Sequence, residues 1–203
     1  MSLESDKYKT ITKTSEGIFR DKGSKFIAYA YPISQEEEWK SILEQVKGLH
    51  PKARHHCWAY RVNPQDDLFR FNDDGEPSGT AGRPIFNCLK SYDLTNLILV
   101  VVRYFGGTLL GVPGLINAYK NASIACLENA EIVVKTISSQ FVLKFDYPQM
   151  NDVMRLVKQN NWEVVKQDFA LDCALTLEIR KNDIPKLSEL VENMKGVEIQ
   201  NIK

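Results

Sequence analysis

The sequence predicts an α+β fold in two parts, and three observations lead there. Ten of the eleven glycines and six of the eight prolines precede residue 136, and Gly196 is the one glycine after it. The longest apolar run, Leu97-Ile98-Leu99-Val100-Val101-Val102, has the length of a buried strand and falls far short of the roughly 20 residues of a membrane span. After residue 136 the elements read β-α-β-β-α-β, which is the ferredoxin-like order. A boundary therefore falls around Lys135–Ser138, dividing the chain into 1–136 and 137–203. Charge does not mark it: 17 basic and 16 acidic residues lie before it, 9 and 10 after it. Loop character does, with special turns before the boundary and plain alternating elements after it.

In the first part, Lys25–Ile33 alternates as a strand should, with Phe26, Ala28 and Ala30 on one face. Ser34 is read as an N-cap before Gln35-Glu36-Glu37-Glu38, whose carboxylates favour a helix start. That helix carries Trp39, Ile42, Leu43 and Val46 on one face and is expected to stop at Gly48. His56–Val62 and Leu68–Phe71 read as strands paired across Asn63-Pro64-Gln65-Asp66. Asp73–Gly82 is a long polar loop, and Arg83–Leu89 a short helix with Pro84 near its start. Asn96–Arg103 is the central strand and Val112–Ala130 the longest helix. The second part gives strand Gln140–Phe145, helix Pro148–Gln159, strands Trp162–Phe169 and Cys173–Ile179 joined near Leu171-Asp172, helix Ile184–Met194 and strand Val197–Ile202.

With 26 basic and 26 acidic residues the formal net charge is zero, which argues against a strongly basic nucleic-acid coat and an acidic tail. The hydrophobic share, 43%, is that of an ordinary soluble globule. Cys57, Cys88, Cys126 and Cys173 form no CxxC pair, so no zinc knuckle or thioredoxin-like motif can be drawn. They read as reduced, buried thiols. The polar N-terminus lacks a signal-peptide core, and the expected location is cytoplasmic. The first 25 residues hold six basic and four acidic side chains, a solvated surface or part of an RNA-facing side.

Two glycine-rich segments stand out, Asn72–Pro84 and Arg103–Gly114. Glycines at this density let backbone approach a partner and aim several N–H groups at one spot. Neither segment fits a Walker loop or GxGxxG. His55 and Cys57 have the i, i+2 spacing of metal ligands on a strand, but further ligands would have to come from unidentified positions, so core packing of Cys57 is favoured. Asp73, Asp74 and Glu76 either bind Mg²⁺ or act as acid and base, or else Asp73-Asp74-Gly75 simply makes a turn. Arg103, leaving a buried strand beside Tyr104 and Phe105, suits phosphate or base stacking. Equally, it suits a salt bridge to Asp73 or Asp74 that pins the two loops together.

Taken together, His55-x-Cys57-x-Ala59, the run Asp73–Gly82 with Pro84, Val101-Val102-Arg103-Tyr104-Phe105-Gly106-Gly107, Leu110-Gly111, Gly114-Leu115 and Ala118-Tyr119 resemble the YigZ/IMPACT family over roughly residues 18–130. The C-terminal part resembles the domain that bacterial members append. The resemblance implies a first domain folded like the second domain of a ribosomal small-subunit protein, and a second like a module of elongation factor G. Eukaryotic members regulate translation initiation by binding the activator of an initiation-factor kinase, and nucleic-acid binding has been suggested for the family. The segment Thr108–Leu115 departs from the family pattern by lacking a basic residue and by holding Pro113 for a glycine, which weakens an anion-binding role for this loop.

The expectation is a protein that binds RNA, the ribosome or a translation factor without turnover. Its contact residues would be His55, Asp73, Asp74, Glu76, Arg103, Tyr104, Gly106 and Gly107. No cofactor, resident metal, membrane contact or sequence-specific DNA binding is expected. One alternative is an enzyme acting on a phosphorylated or small polar substrate through Asp73, Asp74, Glu76 and His55. The other is a protein-interaction module, resting on fold analogy.

Overall fold

The computed structural model describes residues 6–169 and 173–202. It is an α+β protein that separates into two compact units, Tyr8–Lys135 and a second built from Thr136 onward together with Asp6 and Lys7. The sequence reading assigned those two N-terminal residues to the first domain. Asp6 instead follows the second unit because its carbonyl accepts the Ile137 N–H at 2.6 Å.

The first unit is a five-stranded sheet in the order β2-β3-β6-β4-β5, formed by β2 (Ser15–Asp21), β3 (Ser24–Pro32), β4 (His55–Val62), β5 (Leu68–Asn72) and β6 (Leu97–Tyr104). Every pairing in it is antiparallel. β6 is the middle strand and is buried from Leu97 through Arg103, which explains its unbroken apolar run. Alternation sends Leu97, Leu99, Val101, Cys57 and Ala59 into one core, under helices α2 (Gly82–Ser91) and α3 (Gly111–Glu128). Ile98, Val100, Val102, Trp58, Tyr60 and Val62 enter the opposite core, under α1 (Glu38–Leu49). A short two-stranded sheet pairs β1 (Lys7–Ile11) with β7 (Ile132–Thr136), whose residues other than Lys7 and Thr136 belong to this unit. The sequence reading named neither β1 nor β2, since neither carries a long alternating apolar pattern.

Helix α1 departs from its expected ends. Ser34 does not cap it; the Glu38 carboxylate reaches back and accepts the Ser34 and Gln35 N–H groups at 2.8 and 2.7 Å. The helix runs through Gly48 to Leu49.

The second unit holds β8 (Ser138–Phe145), α4 (Met150–Gln159), β9 (Glu163–Phe169), β10 (Cys173–Arg180), α5 (Ile184–Glu192) and β11 (Val197–Ile202). Its antiparallel sheet has the order β11-β8-β10-β9, the ferredoxin-like arrangement. Phe141, Leu143, Leu175 and Leu177 pack with Val153, Val157, Leu187 and Val191 from the two helices. The turn expected near Leu171-Asp172 lies outside the described residues. Among those described, no helix is long and apolar enough to cross a membrane.

Candidate binding surface around the glycine-rich loops

The two glycine-rich segments leave β5 and β6, the two strands on either side of β4, so sheet order alone brings them to one region of the first unit. Asp73 organises the first segment. Its Oδ1 accepts the N–H groups of Ala81 and Gly82 at 3.0 and 2.8 Å, and its Oδ2 that of Gly79 at 2.8 Å. The carboxylate thereby satisfies orphan donors at the start of α2, where a negative charge also suits the helix dipole. Asp74 adopts a left-handed φ of 40°, and its Oδ2 accepts the His56 N–H at 2.6 Å. Its carbonyl accepts a hydrogen bond from His55 Nδ1 at 2.8 Å. Both aspartates thus build the turn chemistry that the sequence reading held open beside cation binding.

Glu76 points inward. Its Oε1 accepts Arg103 Nη1 at 2.6 Å and the Tyr119 hydroxyl at 2.8 Å, and both ion-pair partners are buried. Arg103 does bridge the two segments, but through Glu76 rather than through Asp73 or Asp74. The reason is local: both aspartates are already bound to backbone N–H groups, and Glu76 is the remaining carboxylate turned into the core. The guanidinium lies over the rings of Phe26 and Phe105 at 5.5 and 5.7 Å, and its Nε has no hydrogen-bond partner among the described residues. Cys57 Sγ lies 3.3 Å from the Tyr119 hydroxyl and 3.0 Å from the Asp73 carbonyl. Burial pushes both the Cys57 thiol and the Tyr119 phenol far up from their ordinary values, so neither ionises near neutral pH.

Tyr104 is half-buried, and its hydroxyl meets His50 Nδ1 at 2.9 Å, while Tyr29 meets Nε2 of the same ring at 2.9 Å. Phe105, 57% exposed, is the aromatic that faces solvent. Gly106 rests on the backbone of Gly23 and Ser24 and donates its N–H to Ser24 Oγ at 3.1 Å; any Cβ there would fall inside those atoms. Gly107 has a φ of +88°. Beyond it Leu109 is 83% exposed and Val112 52%. Among the described residues, no group of three or more His, Cys, Asp or Glu is placed to hold a metal ion.

The structure therefore joins Glu76 with Arg103, and His55 with Asp74, while Tyr104 stands with His50 and Tyr29. It adds Tyr119 and His50, which were absent from the expected contact set. Tyr119 was visible only as a member of a motif. Its helical position gave no sign that its hydroxyl closes the Glu76 site.

The Impact N-terminal domain matches residues 22–127, from the β2–β3 turn to the end of α3 and so through every residue of this site. The chain is 39% identical over 178 residues to an IMPACT family member of Haemophilus influenzae, covering 86% of each protein. It is 35% identical over 150 residues to IMPACT family member YigZ of Escherichia coli, covering 73% of this chain and 74% of that one. A crystal structure described as that of a hypothetical protein matches with a TM-score of 0.71 and 28% identity over 98% of both chains. A match this long, carrying the loops that Asp73, Glu76 and Arg103 hold together, means that the chain belongs to the IMPACT family.

Proposed function

We propose that this protein acts in translation by binding without turnover, and that its contact surface is the exposed glycine-rich turn after β6 and the start of α3. The carrying observation is a division of labour. Asp73, Asp74, Glu76, Arg103 and His55 are engaged in internal bonds, whereas Phe105, Leu109 and Val112 stand in solvent. Apolar side chains on a turn of small residues fit a protein surface better than a phosphate backbone. Of RNA, the ribosome or a translation factor, a protein face of the last two suits the geometry best. The family resemblance supplies the link to translation.

The test is co-sedimentation of purified protein with ribosomes, beside binding to protein-free ribosomal RNA, at low and moderate salt. Ribosome binding that persists at moderate salt and weakens at least about tenfold, ~1.4 kcal/mol, in Leu109→Asp is the expected result. Steeply salt-dependent binding to bare RNA, unchanged by that substitution, would make RNA the partner. Absence of binding at low salt would remove the ribosome reading.

A further inference from the structure

Helices α2 and α3 lie side by side over the sheet, and a groove of about 410 Å³ runs between them. Pro84, Ile116 and Ile124 give it apolar walls, and Arg83, Asn87 and Lys120 give it polar ones. Arg83 and Lys120 are exposed, and neither forms an ion pair among the described residues. No carboxylate lines the groove. Helix α2 contains no acidic residue at all, and in α3 the single acid is Glu128, its last residue. A surface helix ordinarily mixes signs, so two adjacent helices with cations and almost no acids form a one-signed face.

The apolar part is longer than the cavity. Val112, Ile116, Lys120 and Ile124 recur every four residues along α3, one row on the helix surface about 18 Å long. Val112, half-exposed, carries the row past the mouth of the groove. A small ligand would fill the cavity and leave that extension unused. No aromatic ring lines the groove to stack a base, as single-stranded RNA requires.

We infer that the α2–α3 groove docks an acidic amphipathic helix of a partner protein. Its apolar side chains, spaced three and four residues apart, lie against Ile116, Ile124 and Val112, and its carboxylates meet Arg83 and Lys120. This inference goes beyond the proposed function. It concerns the groove between α2 and α3, which meets the proposed contact surface only at Val112, and it stands whether or not ribosomes are bound.

The experiment places a photo-crosslinking residue at Asn87 of the full-length chain in cells and sequences the crosslinked segment. A control carries the same residue at Gln65, in the exposed loop between β4 and β5. The expected product is a segment with net negative charge and apolar residues at helical spacing. Its yield falls at least tenfold in the double variant Arg83→Glu/Lys120→Glu and returns in Arg83→Lys/Lys120→Arg, since both pairs are solvent-exposed. Crosslinking to RNA, to a second copy of this chain, or to a segment lacking net negative charge would overturn the inference. So would a yield no greater than that at Gln65, or one that charge reversal leaves unchanged.

Discussion

Arg103 and Glu76 meet at 2.6 Å in the interior, with side-chain exposures of 8% and 4%, although one lies near the end of strand β6 and the other in the loop after β5, 27 positions away. The pair fastens the Asp73–Ala81 segment to the end of β6, and the Tyr119 hydroxyl adds a bond from α3. Removing one member leaves the other charge buried without a counterpart. Arg103→Ala and Glu76→Ala should each cost about 3–5 kcal/mol in denaturant unfolding. The double variant Arg103→Met/Glu76→Leu should lose less than the sum of the singles. Equal additivity would show that the two charges do not depend on each other. Arg103→Ala is consequently a test of stability and a poor test of binding.

Glycine substitutions should sort by what a new methyl would meet. A Cβ on Gly106 collides with the backbone of Gly23 and Ser24, which cannot move aside as a side chain can. Gly106→Ala should destabilise by about 1–3 kcal/mol or more. At Gly48, near the end of α1, a Cβ meets nothing within 4 Å. Gly48→Ala should stabilise by up to about 1 kcal/mol through helix propensity. Thermal melts of the two variants should shift in opposite directions.

Stability should fall as pH drops below the ordinary histidine range. Burial holds His50 and His56 below their usual 6.5, and for His56 the nearby Asp74 carboxylate opposes this only in part. The unfolded chain then binds protons that the native chain resists. The contribution is complete above about pH 6.5 and is lost as pH falls through the depressed native values. The urea midpoint of the wild type should decline from pH 7.5 to 5. A His50→Gln/His56→Gln variant should decline less steeply over the same range, and parallel slopes would exclude these rings as the source.

The thiols should be silent in the native protein. All four cysteines are free and buried, and burial pushes those of Cys88 and Cys126 up to about 11. Those two thiols and the still higher one of Cys57 carry almost no thiolate at pH 8, and Cys173 is fully buried out of a disulfide reagent's reach. Reaction with Ellman's reagent should proceed at the rate of unfolding, with four equivalents released at once in denaturant. A fast equivalent in native buffer would place one thiol at the surface.

Much of this was legible from local pattern. Alternation along His56–Val62 and the six-residue apolar run located β4 and β6, and the β-α-β-β-α-β order gave the second unit's fold, because burial on one or two faces writes directly into periodicity. The glycine-rich segments were visible too, along with the choice between turn-building and chemistry at Asp73 and Asp74. The ends of α1 misled because Ser34 matches a cap by type, while the longer Glu38 side chain reached the same N–H groups first. β1 and β2 were missed for want of a long apolar alternation.

By itself, then, the sequence determined most of the element types and the family, since these follow from periodicity, turn residues and contiguous motifs. Only the tertiary structure decided that Arg103 faces Glu76 rather than an aspartate, that Tyr104 is tied to His50, and that the outer face of α2 and α3 forms a basic, apolar groove. Each of these depends on which side chains from distant segments share one small volume. A sequence lists donors, acceptors and charges, but their pairing is settled when sheet order and helix packing remove water from some and leave others in it.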